Sequence, residues 1–251
     1  MRVFITGASS GIGAALAVLY GKRGATLGLL SRREAALRET GAASGAPFEA
    51  YPCDVRDAGA VKAAAAHFMA AHGVPDLVIA DAGISYGTLT EETEDLRTFA
   101  EIMEVNVMGM VHAFHPFVAP MRNRGSGSLV GIASVAGYRG LAGVGAYSAS
   151  KAAAINYLEA LRVELHGTGV RVTTVCPGYV ASPMTERNPY PMPFIIEVED
   201  AARRIARVID AGRSYAVIPW PMAIVARILA HIPNAIFDRL FARAGRKPRK
   251  S

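Results

Sequence analysis

The sequence predicts a single α/β domain built on a parallel, doubly wound sheet with helices on both faces. Short apolar runs rich in Val, Leu and Ile recur along the chain, and Ala-rich segments with helical patterning separate them. Runs without polar alternation are typical of strands that are covered on both faces. Repeated β-α-β units favour right-handed crossovers and a Rossmann-like sheet of about seven strands.

The apolar runs and the helical segments give the individual elements in chain order. We predict strands over Arg2–Thr6, Ala25–Ser31, Phe48–Cys53, Asp76–Asp81, Gly127–Ser134, Val170–Cys176 and Tyr215–Ile218. We predict helices over Gly11–Arg23, Arg33–Thr40, Ala58–His72, Asp95–Arg122, Tyr147–His166 and Val198–Ala211. No linker or composition break divides the chain, so we expect one domain over residues 1–238, with an apolar extension at 215–238 and a basic tail at 239–251.

The composition fits a globular enzyme and excludes several other classes. Hydrophobic residues make up 51% of the chain and charged residues 19%, which excludes a disordered protein. The net charge of +6 equals the six basic residues between Arg239 and Lys250, so it does not indicate a nucleic-acid-binding body. The two cysteines imply no disulfide framework and the N-terminus shows no secretory signal, so we expect a cytoplasmic protein.

Residues 215–232 form an apolar segment that Pro219 and Pro221 interrupt. The segment is too short and too rich in proline to indicate a membrane span. Three interpretations are open: a helix packed on the core or on a second subunit, an interfacial helix in peripheral contact with a membrane, and a loop lining the substrate pocket. In the second interpretation, the basic tail within 215–251 would attract anionic lipids.

A glycine-rich turn follows the first predicted strand and opens the first helix. It reads Thr6-Gly7-Ala8-Ser9-Ser10-Gly11-Ile12-Gly13, with the spacing G-x-x-x-G-x-G. Gly7 permits the tight turn, Gly11 lets the backbone approach a pyrophosphate, and Gly13 lets the helix lie close to the sheet. Because a helix N-terminus offers free N–H groups and a positive dipole end, the turn predicts a dinucleotide site.

The choice of cofactor is predicted at the end of the second strand. Proteins that bind NAD(H) usually carry an acidic residue there, which accepts hydrogen bonds from the ribose hydroxyls. This chain carries Ser31, Arg32 and Arg33, which suit a 2′-phosphate through hydrogen bonding and charge pairing. NADP(H) is therefore favoured over NAD(H). The alternative is that the arginines are solvated charges at a helix start and that NAD(H) is used.

Tyr147 and Lys151 stand four residues apart at the start of a predicted helix, so they share one helix face. A nearby ammonium favours a phenolate, so Lys151 is expected to lower the pKa of Tyr147 and to make proton transfer easier. Ser134 ends the fifth predicted strand, at the sheet edge where α/β proteins bind ligands. Its hydroxyl can hold the same substrate oxygen as the phenol.

Together these motifs resemble the short-chain dehydrogenase/reductase family, of the type that is roughly 250 residues long. The resemblance covers about residues 1–212 and includes the glycine-rich turn, the Ser134–Tyr147–Lys151 set, Asp54-Val55, Asn106, and Pro177-Gly178-Tyr179-Val180-Ala181-Ser182. It implies an oxidoreductase that transfers hydride between a nicotinamide dinucleotide and a carbonyl or alcohol carbon.

The resemblance also implies roles for individual residues. Tyr147 would be the general acid in reduction, Lys151 would hold the nicotinamide ribose, and Ser134 would orient the substrate oxygen. Asn106 would position a water that links Lys151 to solvent. From the motifs and the resemblance together, the predicted cofactor contacts are Gly7, Ser9, Ser10, Gly11, Ile12, Gly13, Ser31, Arg32, Arg33, Asp54, Val55, Asp81, Ala82, Gly83, Tyr147, Lys151, Pro177, Gly178, Val180 and Ser182.

One position departs from the family pattern. The family usually has Asn-Ala-Gly after the fourth strand, whereas this chain has Asp81-Ala82-Gly83. Aspartate lacks the amide donor and would bring a charge close to the dinucleotide. Three consequences are open: a tolerated change in which Asp81 bonds backbone N–H groups, weaker cofactor binding, or a carboxyl pKa raised by burial.

The segment from Met184 to Ile196 would lie over the nicotinamide as a lid, and its apolar side chains favour an apolar small-molecule substrate. The resemblance implies a homodimer or homotetramer built on the long helices. The six histidines show no metal-ligand spacing, so no metal site is predicted. A catalytically silent dinucleotide-binding regulatory protein is the alternative function, although the complete Ser–Tyr–Lys set argues against it.

Overall fold

A computed structural model describes residues 1–186, 188–242 and 245–250, and it confirms the predicted fold class. The strands are β1 (Arg2–Thr6), β2 (Thr26–Ser31), β3 (Phe48–Pro52), β4 (Leu77–Ala80), β5 (Gly127–Ile132), β6 (Val170–Pro177) and β7 (Tyr215–Ile218). Within the described residues they form one parallel sheet in the order β3-β2-β1-β4-β5-β6-β7. The strand order reverses between β1 and β4, and this reversal is where open α/β sheets bind ligands.

The helices lie on both faces of the sheet. They are α1 (Gly11–Lys22), α2 (Glu34–Ser44), α3 (Ala58–His72), α4 (Thr93–Met103), α5 (Gly109–Arg124), α6 (Gly145–Glu164), α7 (Val198–Asp210), α8 (Trp220–His231) and α9 (Asn234–Phe241). The long helix predicted near Asp95–Arg122 is present as α4 and α5, which a π-helical turn at Glu104–Met108 joins without a break. Such turns often mark functional sites, and this one carries the buried Asn106.

Two apolar layers, one on each face of the sheet, hold these elements together. On one face, buried side chains of α1 pack against β1 and β2, and those of the neighbouring α7 pack against β6 and β7. On the other face, Phe4 of β1 meets Phe68 of α3 and Phe117 of α5, with ring centroids 5.6 Å and 5.0 Å apart. All three rings are fully buried, and each contributes about 1.5–3 kcal/mol through burial. The two layers fix the sheet edge at which β1, β4, β5 and β6 end.

The apolar segment 215–232 forms β7 and α8, which supports the interpretation of a helix packed on the core. Met222 and Ala226 of α8 are buried, and Met222 lies against Gly178. Arg139, in the loop after β5, donates hydrogen bonds to the carbonyls of Leu229 and Ile232 at the end of α8, at 3.0 Å and 2.5 Å. These bonds satisfy carbonyls that a helix end leaves unpaired.

Across the described ranges, no single helix is both long and apolar enough to cross a membrane. Helices α8 and α9 reach that length and composition only as a pair, and they are bent by 119°. Of the predicted lid, Arg187 lies outside the described residues, as do Arg243, Ala244 and Ser251 of the predicted tail. Helix α9 continues to Phe241, across the predicted start of the tail at residue 239.

Candidate active site

The predicted catalytic residues meet at the carboxyl edge of the sheet. Ser134 lies just after β5, and Tyr147 and Lys151 lie in the first turns of α6. The Ser134 side chain lies beside the Tyr147 hydroxyl and favours its ionised form, and the Lys151 ammonium lies 5.7 Å from the centre of the Tyr147 ring. Lys151 Nζ donates to the carbonyl of Ile132 at 2.8 Å, which points the ammonium at the end of β5. The fold therefore brings Ser134 to two residues that lie 13 and 17 positions later in the sequence.

Asn106 is fully buried beside this set and joins two elements of the site. Its Oδ1 accepts from the Ile84 N–H at 2.8 Å, and its Nδ2 donates to the Ile84 carbonyl at 3.0 Å. The same Nδ2 also donates to Ser150 Oγ at 2.9 Å. The side chain thus fixes the loop after β4 against α6, and the predicted water-positioning role stays a prediction.

The pKa of Tyr147 departs from the expectation drawn from the sequence. Burial raises the pKa of Tyr147 to about 12, because desolvation disfavours the phenolate more strongly than the neighbouring Ser134 side chain favours it. Burial also lowers the pKa of Lys151 to about 8. The expectation of a lowered phenol pKa is therefore not met in this structure. A phenol that stays protonated across neutral pH is suited to donating a proton.

Asp81 combines two of the three consequences that were left open for it. Its Oδ2 accepts a hydrogen bond from the Gly13 N–H at 2.8 Å, so the carboxylate ties the end of β4 to the glycine-rich turn. Burial raises the pKa of Asp81 to about 7, while the charge of Lys151 and the Gly13 N–H oppose that shift. Asp81 in turn favours the charged form of Lys151. The site therefore contains a buried carboxyl and a buried ammonium, and the charge of each group favours the charged form of the other.

Asp81→Asn should make thermal stability less dependent on pH. A carboxyl whose pKa is raised in the folded state stabilises the fold at low pH, and this contribution is lost as the pH rises from about 4 to about 7. Each unit of raised pKa corresponds to about 1.4 kcal/mol. We expect the stability of the Asn variant relative to the wild type to grow by on the order of a few kcal/mol across that range. Calorimetric unfolding at several pH values checks this, and a difference that does not change with pH would contradict it.

The glycine-rich turn has the shape that a dinucleotide requires. Gly7 adopts φ 74°, and a Cβ on it would lie 2.7 Å from the backbone nitrogen of Ala82, so the turn packs directly on the loop after β4. Ser10 precedes α1 without a side-chain cap, so its side chain does not occupy the first N–H groups of the helix. Gly11 faces Ser182 across a gap, with 3.8 Å between the Ser182 Cβ and the place of an added Cβ. These residues fit a pyrophosphate at the N-terminus of α1.

The residues predicted to select the cofactor lie around the same turn. Arg33 Nη2 donates to the carbonyl and to the hydroxyl of Ser9, both at 3.1 Å, and the Arg33 N–H donates to Ser31 Oγ at 3.3 Å. Arg32 points the other way, with its guanidinium 3.9 Å from the Asp54 carboxylate. The guanidinium of Arg33 is therefore the one that lies directly over the glycine-rich turn.

Asp54 is paired with Arg56, a partner that the sequence motifs did not predict. The Arg56 guanidinium bonds both carboxylate oxygens of Asp54, at 2.7–3.1 Å, and these bonds hold the pKa of Asp54 below its usual range. The Arg56 N–H also donates to Asp54. The signal was present in the sequence, since Arg56 stands two positions after Asp54. The neighbouring Val55 is buried and packs in the core.

The segment after β6 closes the other side of the site. The Gly178 N–H donates to the Ile218 carbonyl at 2.7 Å, Val180 is buried, and Val180 pairs with Ile196 at the far end of the lid. The Ser182 N–H donates to Thr185 Oγ1 at 3.1 Å. The lid is thus anchored at both ends.

A chain of polar side chains that starts at the buried Cys176 was not anticipated either. Cys176, at the end of β6, lies 3.1 Å from the Tyr215 hydroxyl, which is 2.7 Å from the Tyr138 hydroxyl. Burial raises the pKa of Cys176 to about 11, so the thiol stays protonated at neutral pH. No group of three or more metal-ligating side chains occurs in the described parts of the chain.

The fold and the site define the class of the protein: an α/β oxidoreductase with a glycine-rich turn for a nucleotide cofactor. The family model described as short chain dehydrogenase matches residues 1–191, and the chain belongs to that family. This confirms the resemblance drawn from the motifs. Members of the family bind a nicotinamide dinucleotide and act on alcohol or carbonyl groups of small molecules.

Three similar proteins illustrate the family. An uncharacterised oxidoreductase of Myxococcus xanthus is 39% identical over 237 residues, which cover 93% of each chain. 11-Beta-hydroxysteroid dehydrogenase A of Sesamum indicum is 34% identical over 237 residues, which cover 86% of this chain and 68% of that protein. The structure of a short-chain dehydrogenase of Burkholderia cenocepacia in complex with NADP aligns with a TM-score of 0.81 at 26% identity, covering 95% of this chain and 96% of that chain.

Proposed function

We propose that the protein is an NADP(H)-dependent oxidoreductase that interconverts an apolar ketone or aldehyde and the corresponding alcohol. One observation carries the proposal: Ser134, Tyr147 and Lys151 converge at the carboxyl edge of the sheet, beside a glycine-rich turn that fits a pyrophosphate. A protein that only bound a dinucleotide would have no use for this set. No observation on the described residues favours the catalytically silent alternative.

The roles proposed for these residues follow from their positions. The nicotinamide, when bound, supplies or accepts the hydride. Ser134 holds the substrate oxygen, and Tyr147 donates a proton to that oxygen when a carbonyl is reduced. Lys151 places a positive charge close to Tyr147, which stabilises the phenolate left by the proton transfer. Asn106 acts as a positioning residue, because it fixes α6 against the loop after β4.

An apolar substrate is supported by the side chains that surround the lid. Phe194 and Ile195 on the lid are 52% and 44% exposed, and the ring of Tyr190, also on the lid, lies 6.5 Å from the ring of Tyr179. The relative from Sesamum indicum acts, by its name, on a hydroxysteroid, which is a largely apolar molecule that carries an alcohol group. Exposed apolar side chains next to a polar catalytic set favour a substrate with one carbonyl and a hydrocarbon body.

The direct test is turnover. Purified protein mixed with NADPH and a panel of apolar ketones and aldehydes should consume NADPH, and the corresponding alcohols should appear in equal amounts. Binding of NADPH without turnover of any ketone, aldehyde or alcohol in the panel would contradict the proposal and favour a binding protein. The reverse reaction, with NADP and apolar secondary alcohols, belongs in the same experiment because the chemistry is reversible.

Preference for NADP(H) is proposed from Arg33, Ser31 and Arg32. Arg33→Ala should raise the KM for NADPH at least about tenfold and leave the KM for NADH nearly unchanged, because only NADPH carries the 2′-phosphate. Initial rates with each cofactor check this. Arg38→Ala is the matched control, since Arg38 pairs with Glu34 on the exposed side of α2.

An equal loss for both cofactors would have a different meaning. It would show that Arg33 only supports Ser9 in the glycine-rich turn, and that the arginine does not read a phosphate. Arg32→Ala distinguishes the two arginines further. Because Arg32 faces Asp54, we expect the smaller effect there.

The oligomeric state of the protein and its location in the cell also belong to the proposal. A homodimer or homotetramer on the long helices is favoured by exposed apolar side chains at Leu96, Phe99 and Met108. A cytoplasmic location is part of the proposal. Peripheral membrane contact through residues 215–251 is favoured by Trp220 and Ile224, which are 69% and 52% exposed on α8. Arg249 and Lys250 of the tail pair with Asp95 and Glu101 of the body, and this pairing reduces the charge that the tail could offer to lipids.

A further inference from the structure

The last described residues fold back across the mouth of the site. Residues 245–250, here named the C-terminal strap, contact the loops that follow β4, β5 and β6. The Gly87 N–H, after β4, donates to the Pro248 carbonyl at 2.8 Å. Lys247 Nζ donates to the carbonyl of Met184 on the lid at 3.0 Å. The strap therefore contacts three loops that lie at the same edge of the sheet.

The contacts of the strap are close enough to require glycine on both sides. A Cβ at Gly87 would overlap the carbonyl oxygen of Lys247. A Cβ at Gly143, after β5, would lie 2.9 Å from the Arg246 side chain, and one at Gly245 would lie 3.0 Å from Cβ of Tyr190 on the lid. Contacts this close leave no room for a substrate between the strap and these loops while the strap is in place.

Arg249 anchors the end of the strap on a nearly buried carboxylate. Arg249 Nε lies 2.9 Å and 3.1 Å from the two oxygens of Asp95, whose side chain is 5% exposed. Asp95 also accepts from the Leu89 N–H at 2.8 Å, so it organises the loop after β4. Glu92 and Glu94 lie 3.3 Å and 3.7 Å from the same guanidinium. Removing the guanidinium would leave a nearly buried carboxylate without its partner, which is costly. The Asp95–Arg249 ion pair therefore favours the position that the strap has in this structure.

Two residues that the strap contacts, Gly143 and Tyr190, lie close to the catalytic phenol. Gly143 stands four residues before Tyr147, and the next residue, Val144, pairs with Thr88 in the loop after β4. Tyr190, which the strap covers at Gly245, lies close enough to Tyr147 that its phenolate would raise the pKa of Tyr147. The residues that touch the strap therefore also border the proposed substrate site.

We propose that the C-terminal strap is the outer wall of the substrate site, and that the Arg249–Asp95 ion pair is the latch that limits the size of the substrates admitted. The inference rests on the carbonyl reductase activity proposed above. The bond from Lys247 to the Met184 carbonyl joins the lid to the strap, so the two segments move together. The latch holds them closed on small substrates and excludes those that extend past Gly143 and Tyr190.

The test compares Arg249→Ala and Asp95→Asn with the wild-type enzyme on a series of methyl ketones of increasing chain length. We expect kcat/KM for the longest ketones, relative to the shortest, to rise at least about fivefold in both variants. The double variant should show no further gain, because both substitutions break one contact. The affinity for NADPH should stay within about twofold of wild type, since the strap does not contact the glycine-rich turn among the described residues.

Arg38→Ala serves as the control for loss of a surface arginine, and it should keep the wild-type profile. Brief trypsin treatment followed by intact mass measurement reports release of the strap, with faster cleavage after Arg246 expected in Asp95→Asn. A length profile unchanged within about twofold, or a selective loss of the long ketones, would overturn the proposal and leave the strap as a contact that only stabilises the fold.

The two proposals can fail separately. If the wild type binds NADPH and reduces nothing in the series, the proposed activity fails. The strap is then decided by binding of an apolar fluorescent dye. Tighter dye binding in both variants than in wild type and Arg38→Ala supports a wall over an apolar site, and equal binding overturns it.

Discussion

Tyr147→Phe should reduce kcat for carbonyl reduction by at least about a thousandfold while NADPH still binds. The substitution removes one oxygen, which is the atom proposed to pass a proton to the substrate. The aromatic ring remains, so packing at the start of α6 and the ammonium 5.7 Å from the ring centre are retained. A positioned general acid contributes on the order of 10²–10⁴ in rate, and the second hydrogen bond to the substrate oxygen is lost with it.

The pH dependence gives this prediction a second measurement. Because burial raises the pKa of Tyr147 to about 12, the phenol stays protonated and its own ionisation does not limit reduction near neutral pH. Lys151, with a pKa lowered to about 8, should set the alkaline limb instead. We expect kcat/KM for reduction to fall as the pH rises through about 8, because the neutral amine no longer stabilises the developing phenolate.

Tyr157→Phe is the matched control for the tyrosine substitution. Tyr157 lies on the same helix, is partly buried, and packs in the core away from Ser134. Its substitution should change kcat less than about twofold. If Tyr147→Phe retained turnover near the wild-type level, Tyr147 would not be the proton donor, whatever the control showed.

The fold followed from local patterns because a covered parallel sheet leaves a clear mark on sequence. Each buried strand needs a short apolar run, and each crossover helix needs a longer one with helical spacing. Helix α3 was therefore predicted with the bounds Ala58–His72 that the structure shows, and β1 with the bounds Arg2–Thr6. The π-helical turn at Glu104–Met108 left no such mark, because the apolar pattern of the segment does not distinguish a π-helical turn from an α-helical one.

The candidate site was predictable where the chemistry depends on spacing. Tyr147 and Lys151 had to share a helix face, and the glycine-rich turn had to follow a strand. The pKa of Tyr147 was not predictable in this way. It depends on how much water the folded site excludes, and the sequence shows the neighbouring charge but not the burial.

The C-terminal strap shows a second limit on what can be predicted from the sequence. The sequence identified a run of basic residues near the C-terminus but could not assign partners to them. Arg249 pairs with Asp95, which lies 154 positions earlier, and Lys250 pairs with Glu101. Two complementary charges that far apart in sequence predict no contact, because many such pairs exist in any chain. The meeting becomes visible only after the sheet has placed the start of α4 beside the loops after β5 and β6.

Gly11→Ala should abolish most NADPH binding at little cost to the fold. Gly11 adopts φ 58°, which costs an alanine about 1–2 kcal/mol, and a Cβ there meets no protein atom closer than 3.8 Å. The added methyl would occupy the gap between the turn and Ser182, through which the pyrophosphate is proposed to pass. We expect the Kd for NADPH to rise at least about thirtyfold, because the backbone N–H groups can no longer reach the phosphate oxygens.

Gly24→Ala separates the backbone strain from the loss of binding. Gly24 has φ 78°, it also has open space around its Cβ position, and it lies in the turn between α1 and β2, away from the glycine-rich turn. The two variants should lose about the same free energy of unfolding, about 1–2 kcal/mol, while only Gly11→Ala loses NADPH. Titration calorimetry and denaturant unfolding measure the two quantities independently. Equal NADPH affinity in both variants would place the dinucleotide elsewhere and remove the basis of the proposed enzyme.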